Sequence, residues 1–281
     1  MYVWWCQRKM SKFQKIIKYL AIAFAIYLVF SIISGIMYFI ISFANIFSDD
    51  DYKLEEMKTL NVSTNISSLD IEVKSVNVIF KESSTFKIET DNQNISYEQK
   101  GNNLKIKEKK HSWFKKENTD LIIYLPNTFN FNNVEIENGA GKIKIDYLNT
   151  LILELDLGAG KVDIDNLTVT NNTSIDGGAG EINITNSILH NLELDIGVGK
   201  VTLNASIIGN NEINCGIGEL DLNLIGNLNN YKIKIDKGIG NASINNEKVE
   251  SNTYYGTGFN IIDVDGGIGS IDIDFQNEVV R

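Results

Sequence analysis

The chain has 281 residues, 43% of them hydrophobic, with 22 Gly, one Pro and two Cys, a composition that excludes disorder as its default state. The formal charge of −10 is unevenly spread: residues 1–18 carry a net of +5, residues 49–131 have 12 basic and 14 acidic side chains, and residues 132–281 have nine and 22. So acidic a C-terminal half argues against nucleic acid, which needs clustered Lys and Arg, and two cysteines on opposite sides of an apolar segment, Cys6 and Cys215, make no disulfide framework.

The first element is a basic tail, residues 1–18, with Arg8, Lys9, Lys12, Lys15 and Lys18. Residues 19–47 then run without one charged side chain. About 20 apolar residues cross a bilayer as a helix, so this stretch predicts one transmembrane helix. Basic residues before it and Asp49-Asp50-Asp51 after it place the N-terminus in the cytoplasm and everything beyond residue 48 outside. The competing reading is a cleaved secretory signal ending at Ser42-Phe43-Ala44, but the apolar core of a signal usually runs only about 7 to 15 residues. Met10 is an alternative start to Met1, and Lys12, Lys15 and Lys18 preserve the orientation under both.

Residues 48–59 read as a linker, and residues 60–131 as degenerate strands forming an N-terminal cap. Apolar alternation predicts strands at 69–73, 76–80, 86–89, 104–106 and 121–126. Between the last two lies a basic run with aromatics: Lys109, Lys110, Trp113, Phe114, Lys115 and Lys116. Such a run reads either as a contact for lipid headgroups or an anionic wall polymer, or as a solvated hairpin tip.

Residues 132–281 are a repeat array. Seven Gly-x-Gly triplets mark it: Gly139-Ala140-Gly141, Gly158-Ala159-Gly160, Gly178-Ala179-Gly180, Gly197-Val198-Gly199, Gly216-Ile217-Gly218, Gly238-Ile239-Gly240 and Gly267-Ile268-Gly269. First glycines are 19, 20, 19, 19, 22 and 29 residues apart. A period near 20 with apolar alternation on both sides of each triplet predicts stacked units of a parallel β-solenoid. The alternation changes phase across each triplet: Ile136 has one parity, Ile143 and Ile145 the other. A one-residue slip turns the apolar set outward unless the backbone bends, and glycine permits the bend. The middle residue grows from Ala140 to Ile268, which reads as filling either for an interior that widens toward the C-terminus or for the capping end.

Several chemistries are tested by the motif. Lys142, Lys161 and Lys200 follow triplets as in a phosphate-binding loop, but Ile143, Val162 and Val201 come next where that loop needs Ser or Thr and a helix. Calcium-binding nonapeptides need a period of nine, and dinucleotide binding needs a third glycine. Two residues before the first glycines stand Glu137, Asp156, Asp176, Asp195, Asn214, Asp236 and Asp265, a ladder that either splays into water or shares weakly held Ca²⁺. Hydrolysis of glycans needs paired carboxylates in a cleft. The repeat half has one His, His190, no Trp and no Arg before Arg281, so no catalytic, cofactor or metal site is expected. Cys215 reads as a small buried hydrophobe.

The long gap before the last triplet contains Tyr254, Tyr255 and Phe259. These aromatics fit a partner or sugar, or packing across an open end of the solenoid.

An N-terminal anchor, degenerate strands, Ile-Tyr-Leu-Pro at 123–126 and Gly-x-Gly-x-Ile-x-Ile units together resemble the "putative adhesin" family of bacterial envelope proteins. That family belongs to the toast-rack β-solenoid group, which includes regulators of envelope stress in Gram-positive bacteria. The resemblance covers roughly residues 60–281 and implies an all-β solenoid with no catalytic residues. It also implies a single-pass membrane protein whose extracytoplasmic domain contacts another envelope protein or polymer. The expected function is a non-catalytic scaffold that modulates envelope-stress signalling; the alternative is an adhesin-like module for wall polymer or a host surface.

Overall fold

The computed structural model describes Ile22, Phe24, Tyr27, residues 56–109 and residues 119–276, and the chain divides into two units, Met1–Tyr52 and Lys53–Arg281. In the first unit Ile22, Phe24 and Tyr27 are helical and exposed. The rest of the predicted membrane span lies outside the described residues, among which no helix is long and apolar enough to cross a membrane.

The second unit is built from strands. Before the repeats come β1 (Lys58–Thr59), β2 (Ser68–Val73), β3 (Val76–Glu82), β4 (Lys87–Thr90), β5 (Ile95–Lys100), β6 (Asn103–Glu108) and β7 (Thr119–Leu125). The first five triplets lie in β8 (Phe131–Ile145), β9 (Leu148–Asp165), β10 (Leu167–His190), β11 (Leu192–Ile208) and β12 (Asn210–Ile225). A 3₁₀ turn, Leu228–Asn230, leads to β13 (Tyr231–Ile244), β14 (Glu247–Lys248), β15 (Thr253–Tyr255) and β16 (Asn260–Gln276). Of the strands before the repeats, sequence alternation missed β5, whose burial does not alternate, and β1, which falls in the stretch read as a linker.

The triplet strands pair in parallel, glycine on glycine, giving the all-β, parallel-rich stack that the repeat predicts. Their inner residues form continuous columns. One runs Ile136, Leu155, Ile175, Leu194, Ile213, Val264, Ile235, and another runs Ile143, Val162, Ile182, Val201, Leu220, Ile271, Ala242; all are buried. Burying one such aliphatic side chain contributes about 1.5–3 kcal/mol, and no single unit could bury its face alone.

The change of phase is visible in β9, where Leu153, Leu155 and Leu157 are buried on odd numbers and Val162 and Ile164 on even ones. The pairing ladder skips the first glycine of each triplet, so the bend falls there. The second glycines stack so closely that a Cβ on Gly218 would stand 1.7 Å from the Gly199 carbonyl oxygen, and Gly218 also has a φ of +153°. No L side chain fits that column.

Asparagine turns several of the other corners, together with Gly209 and Gly226. Among the described residues every non-glycine with positive φ is Asn: Asn166, Asn186, Asn191, Asn245, Asn246 and Asn252. A short amide tolerates the left-handed region while it bonds nearby backbone. Asn191 Nδ2 donates to Asn171 O at 2.8 Å, and buried Asn211 donates to Ile261 O at 2.9 Å and accepts from Leu192 N–H at 3.0 Å. The abundance of Asn therefore has a structural cause.

Stacking departs from chain order at both ends. Strand β16, last in sequence, lies between β12 and β13, so the sixth triplet strand is outside the seventh. At the other end β2 and β3 together pair with β8, whereas β6 and β7, later in the chain, pair outside them. The corner Lys74-Ser75 replaces a triplet there, and Ala140 N–H reaches Lys74 O at 2.6 Å. Antiparallel strands then cover both open edges: β14 and β15 on β13, β4 on β7 and β5 on β6. An uncovered edge is a template for pairing with other chains, and these short strands remove it.

Candidate interaction surface

The residues before and after the triplets form two outer faces of opposite electrostatic character. On the face after the triplets, charges are paired. Lys161 Nζ is 3.2 Å from Asp163 and 3.6 Å from Glu181, and Lys200 Nζ is 3.1 Å from Glu219 and 3.0 Å from Asp221. Hydrogen bonds that Lys200 donates to Asp221 and Glu219 raise its pKa. Each lysine lies inside a long strand with no helix after it, so a phosphate-loop geometry is not formed.

The face before the triplets carries two columns of carboxylates. One runs Asp70, Glu135, Glu154, Ser174, Glu193, Glu212, Asp263 and ends at Lys234. The other runs Glu72, Glu137, Asp156, Asp176, Asp195, Asn214, Asp265 and Asp236. Neighbours within a column are about 4.8 Å apart at the backbone and the columns about 7 Å apart. The pKa of Glu135 is raised by burial and then by its neighbours Asp70, Glu154 and Glu137. Among the described residues ion pairs relieve this crowding at the N-terminal end, and Lys234 closes the first column beside Asp263 at the other. Lys105 bridges Asp70, at 2.5 Å, and Glu72, and Lys107 is 2.5 Å from Glu72, whose pKa is lowered by both. Among the described residues no three acidic, His or Cys groups converge as a metal-holding cluster.

At the corner between the two faces the middle residues of the triplets point outward, which corrects the expectation that they fill the interior. In spatial order they are Ala140, Ala159, Ala179, Val198, Ile217, Ile268 and Ile239. The last four are 49%, 49%, 51% and 73% exposed. The first glycine has already turned the chain, so the next side chain faces water. Counting back in twos from Lys144 and Lys142 reaches Ala140 and gives the outward direction from sequence alone.

Of the aromatic and basic residues singled out in the sequence, Lys109 is exposed and Lys110, Trp113, Phe114, Lys115 and Lys116 lie outside the described residues. The structure does not bring the remaining three together as one patch. Tyr254 is exposed with Lys232 Nζ 4.5 Å from its ring centroid, and Phe259 is 99% exposed. Tyr255 packs against the core, and its hydroxyl accepts from Glu250 N–H at 2.7 Å. The segment carrying them supplies β14 and β15, so of the two readings of that gap, packing across the end is the one Tyr255 follows. His190 Nδ1 is 2.9 Å from Val169 O, held at the end of β10. Cys215 is buried, and burial raises its pKa.

A family model described as Toastrack DUF4097 matches residues 66–258, from the strand pair beneath β8 to the loop before β16. The chain belongs to the Toastrack DUF4097 family. Solved structures similar to this Toastrack chain include a "putative cell adhesion protein" from Clostridium sporogenes, 15% identical, with 79% of this chain and 98% of that one covered and a TM-score of 0.32. A "putative adhesin" from Bacteroides fragilis is 11% identical, with 81% and 98% covered and a TM-score of 0.32. At these values neither likeness carries an argument about the Toastrack domain's function. No curated protein matches the chain.

Proposed function

We propose that the Toastrack domain is a non-catalytic interaction scaffold, tethered to the membrane by residues 19–47 and displayed outside the cell, where it holds other envelope proteins and modulates stress signalling. The observation that supports this is the arrangement of outward residues in long, unbroken columns. Such surfaces recognise extended partners, whereas catalysis needs groups converging on a reacting atom. The second reading, an adhesin-like module for wall polymer or a host surface, draws on the exposed Phe259 and Tyr254, which suit stacking on a sugar.

Chemical crosslinking of the full chain in native membranes distinguishes the two. Recovery of integral membrane proteins is expected for the scaffold, retention on purified wall polymer for the adhesin, and turnover of envelope glycans would overturn both.

A further inference from the structure

The corner can be built without the outward ridge. Ala140, Ala159 and Ala179 occupy the same position in the first three units, so alanine satisfies every structural demand of the corner. Val198, Ile217, Ile268 and Ile239 nevertheless place four β-branched side chains on adjacent strands, side by side in water. Isolated exposed aliphatics are ordinary, but a contiguous strip is the mark of a contact surface.

The same four strands decide the charge of what it contacts. Their outward positions before the triplets include Glu193, Glu212, Asp263, Asp195, Asp265 and Asp236, with Asn214 and two lysines of β13, Lys232 and Lys234, while Lys237 stands directly before the Ile239 triplet. On the far side of the ridge Lys200 is engaged by Glu219 and Asp221. Acids outnumber lysines beside the apolar strip, and this net negative field attracts a cationic surface and repels an anionic lipid headgroup.

A second copy fits poorly. The strip exposes on the order of 400 Å² of apolar surface, comparable to a patch on an ordinary monomer, whereas a stable dimer buries about 800 Å² per partner. Two copies meeting along it would also bring their acidic columns together.

We infer that the ridge Val198–Ile217–Ile268–Ile239 docks a basic protein whose surface offers an apolar furrow bordered by Lys or Arg. This rests on the scaffold reading and names the surface and partner chemistry for it. The aliphatic strip enters the furrow, and the carboxylate columns meet the cationic border.

The test uses the full chain in phosphatidylcholine nanodiscs and three labelled peptides, alternating Leu-Lys, Leu-Glu and Ser-Lys, followed by fluorescence anisotropy against empty discs. The Leu-Lys peptide is expected to bind at least about tenfold more tightly than the other two, a difference of about 1.4 kcal/mol. Replacing the four ridge residues by alanine (V198A, I217A, I268A, I239A) introduces only the residue that three units already carry, and is expected to abolish that preference while the domain keeps its β-sheet circular dichroism and a single cooperative unfolding transition. Equal binding of Ser-Lys, or undiminished Leu-Lys binding by the alanine variant, would overturn the inference. So would sedimentation showing a wild-type dimer that the variant dissociates. Membrane partners that crosslink equally to the alanine variant would sink the ridge and leave the scaffold standing.

Discussion

A Cβ on Gly269 would stand 1.6 Å from the carbonyl oxygen of Gly218, and the residue pressed against Gly218 thus belongs to β16 rather than to β13, the next long strand in the chain. The glycine column passes through strands taken out of sequence order and keeps its spacing throughout. What a unit requires of its neighbour is shape, and sequence proximity is not part of that requirement.

The column makes Gly218→Ala and Gly269→Ala severe. Each places a methyl group inside a backbone carbonyl, so a loss of more than about 3 kcal/mol is expected in urea unfolding. Gly101 provides the comparison: its φ is +59° and nothing stands within 4 Å of a Cβ, so Gly101→Ala is expected to lose only about 1 kcal/mol, from backbone strain alone. Equal effects at the two kinds of site would show that steric overlap is not what selects the repeat glycines.

Removal of β16 separates β12 from β13. A chain ending at residue 259 leaves both strands with an unpaired edge, and its melting temperature is expected to fall by about 10 °C or more. Limited proteolysis read by mass spectrometry should cut first within residues 226–259. Full resistance of that segment would mean that β12 and β13 close directly on each other.

Glu72 and Glu135 predict opposite responses to pH. The Glu72 pKa is lowered from 4.5 by Lys105 and Lys107, so its contribution to stability is present above about pH 4.5 and is lost as pH falls through the folded-state value. Glu135 is raised from 4.5 by burial and neighbouring carboxylates, so its contribution is present below about pH 4.5 and is lost as pH rises through the folded-state value. Glu135→Gln is therefore expected to stabilise the domain by a few tenths of a kcal/mol at pH 7 and by nothing at pH 4. Denaturation at both values checks it, and a gain confined to pH 4 would reverse the assignment.

Lys105→Met takes away the cation between Asp70 and Glu72 and its attraction for Glu135. A loss of about 1 kcal/mol is expected in low salt, shrinking as ionic strength approaches about 1 M, where the screening length is roughly 3 Å. A salt-independent loss would attribute the effect to packing of the lysine stem.

Much of this arrangement is legible in the sequence. Ile136, Ile143 and Ile145 carry the bend in their parity, and each repeat glycine marks where adjacent backbones come into contact. The swap of β13 and β16 is much harder to read, because Ile235 and Val264, or Ala242 and Ile271, offer nearly equivalent faces to any neighbour; only the wider spacings of 22 and 29 register it. The charged ridge border was half visible. Its six acids were apparent as residue types, but Glu193, Glu212 and Asp263 align as a column only once the strands are known to pair.

Synthesis and assembly run in different orders in this molecule. A ribosome delivers β13 before β16, so there is an interval in which the emerging chain holds two edges that must not join each other or another chain. The last unit made is a wedge, and the end of the stack becomes permanent only when it arrives.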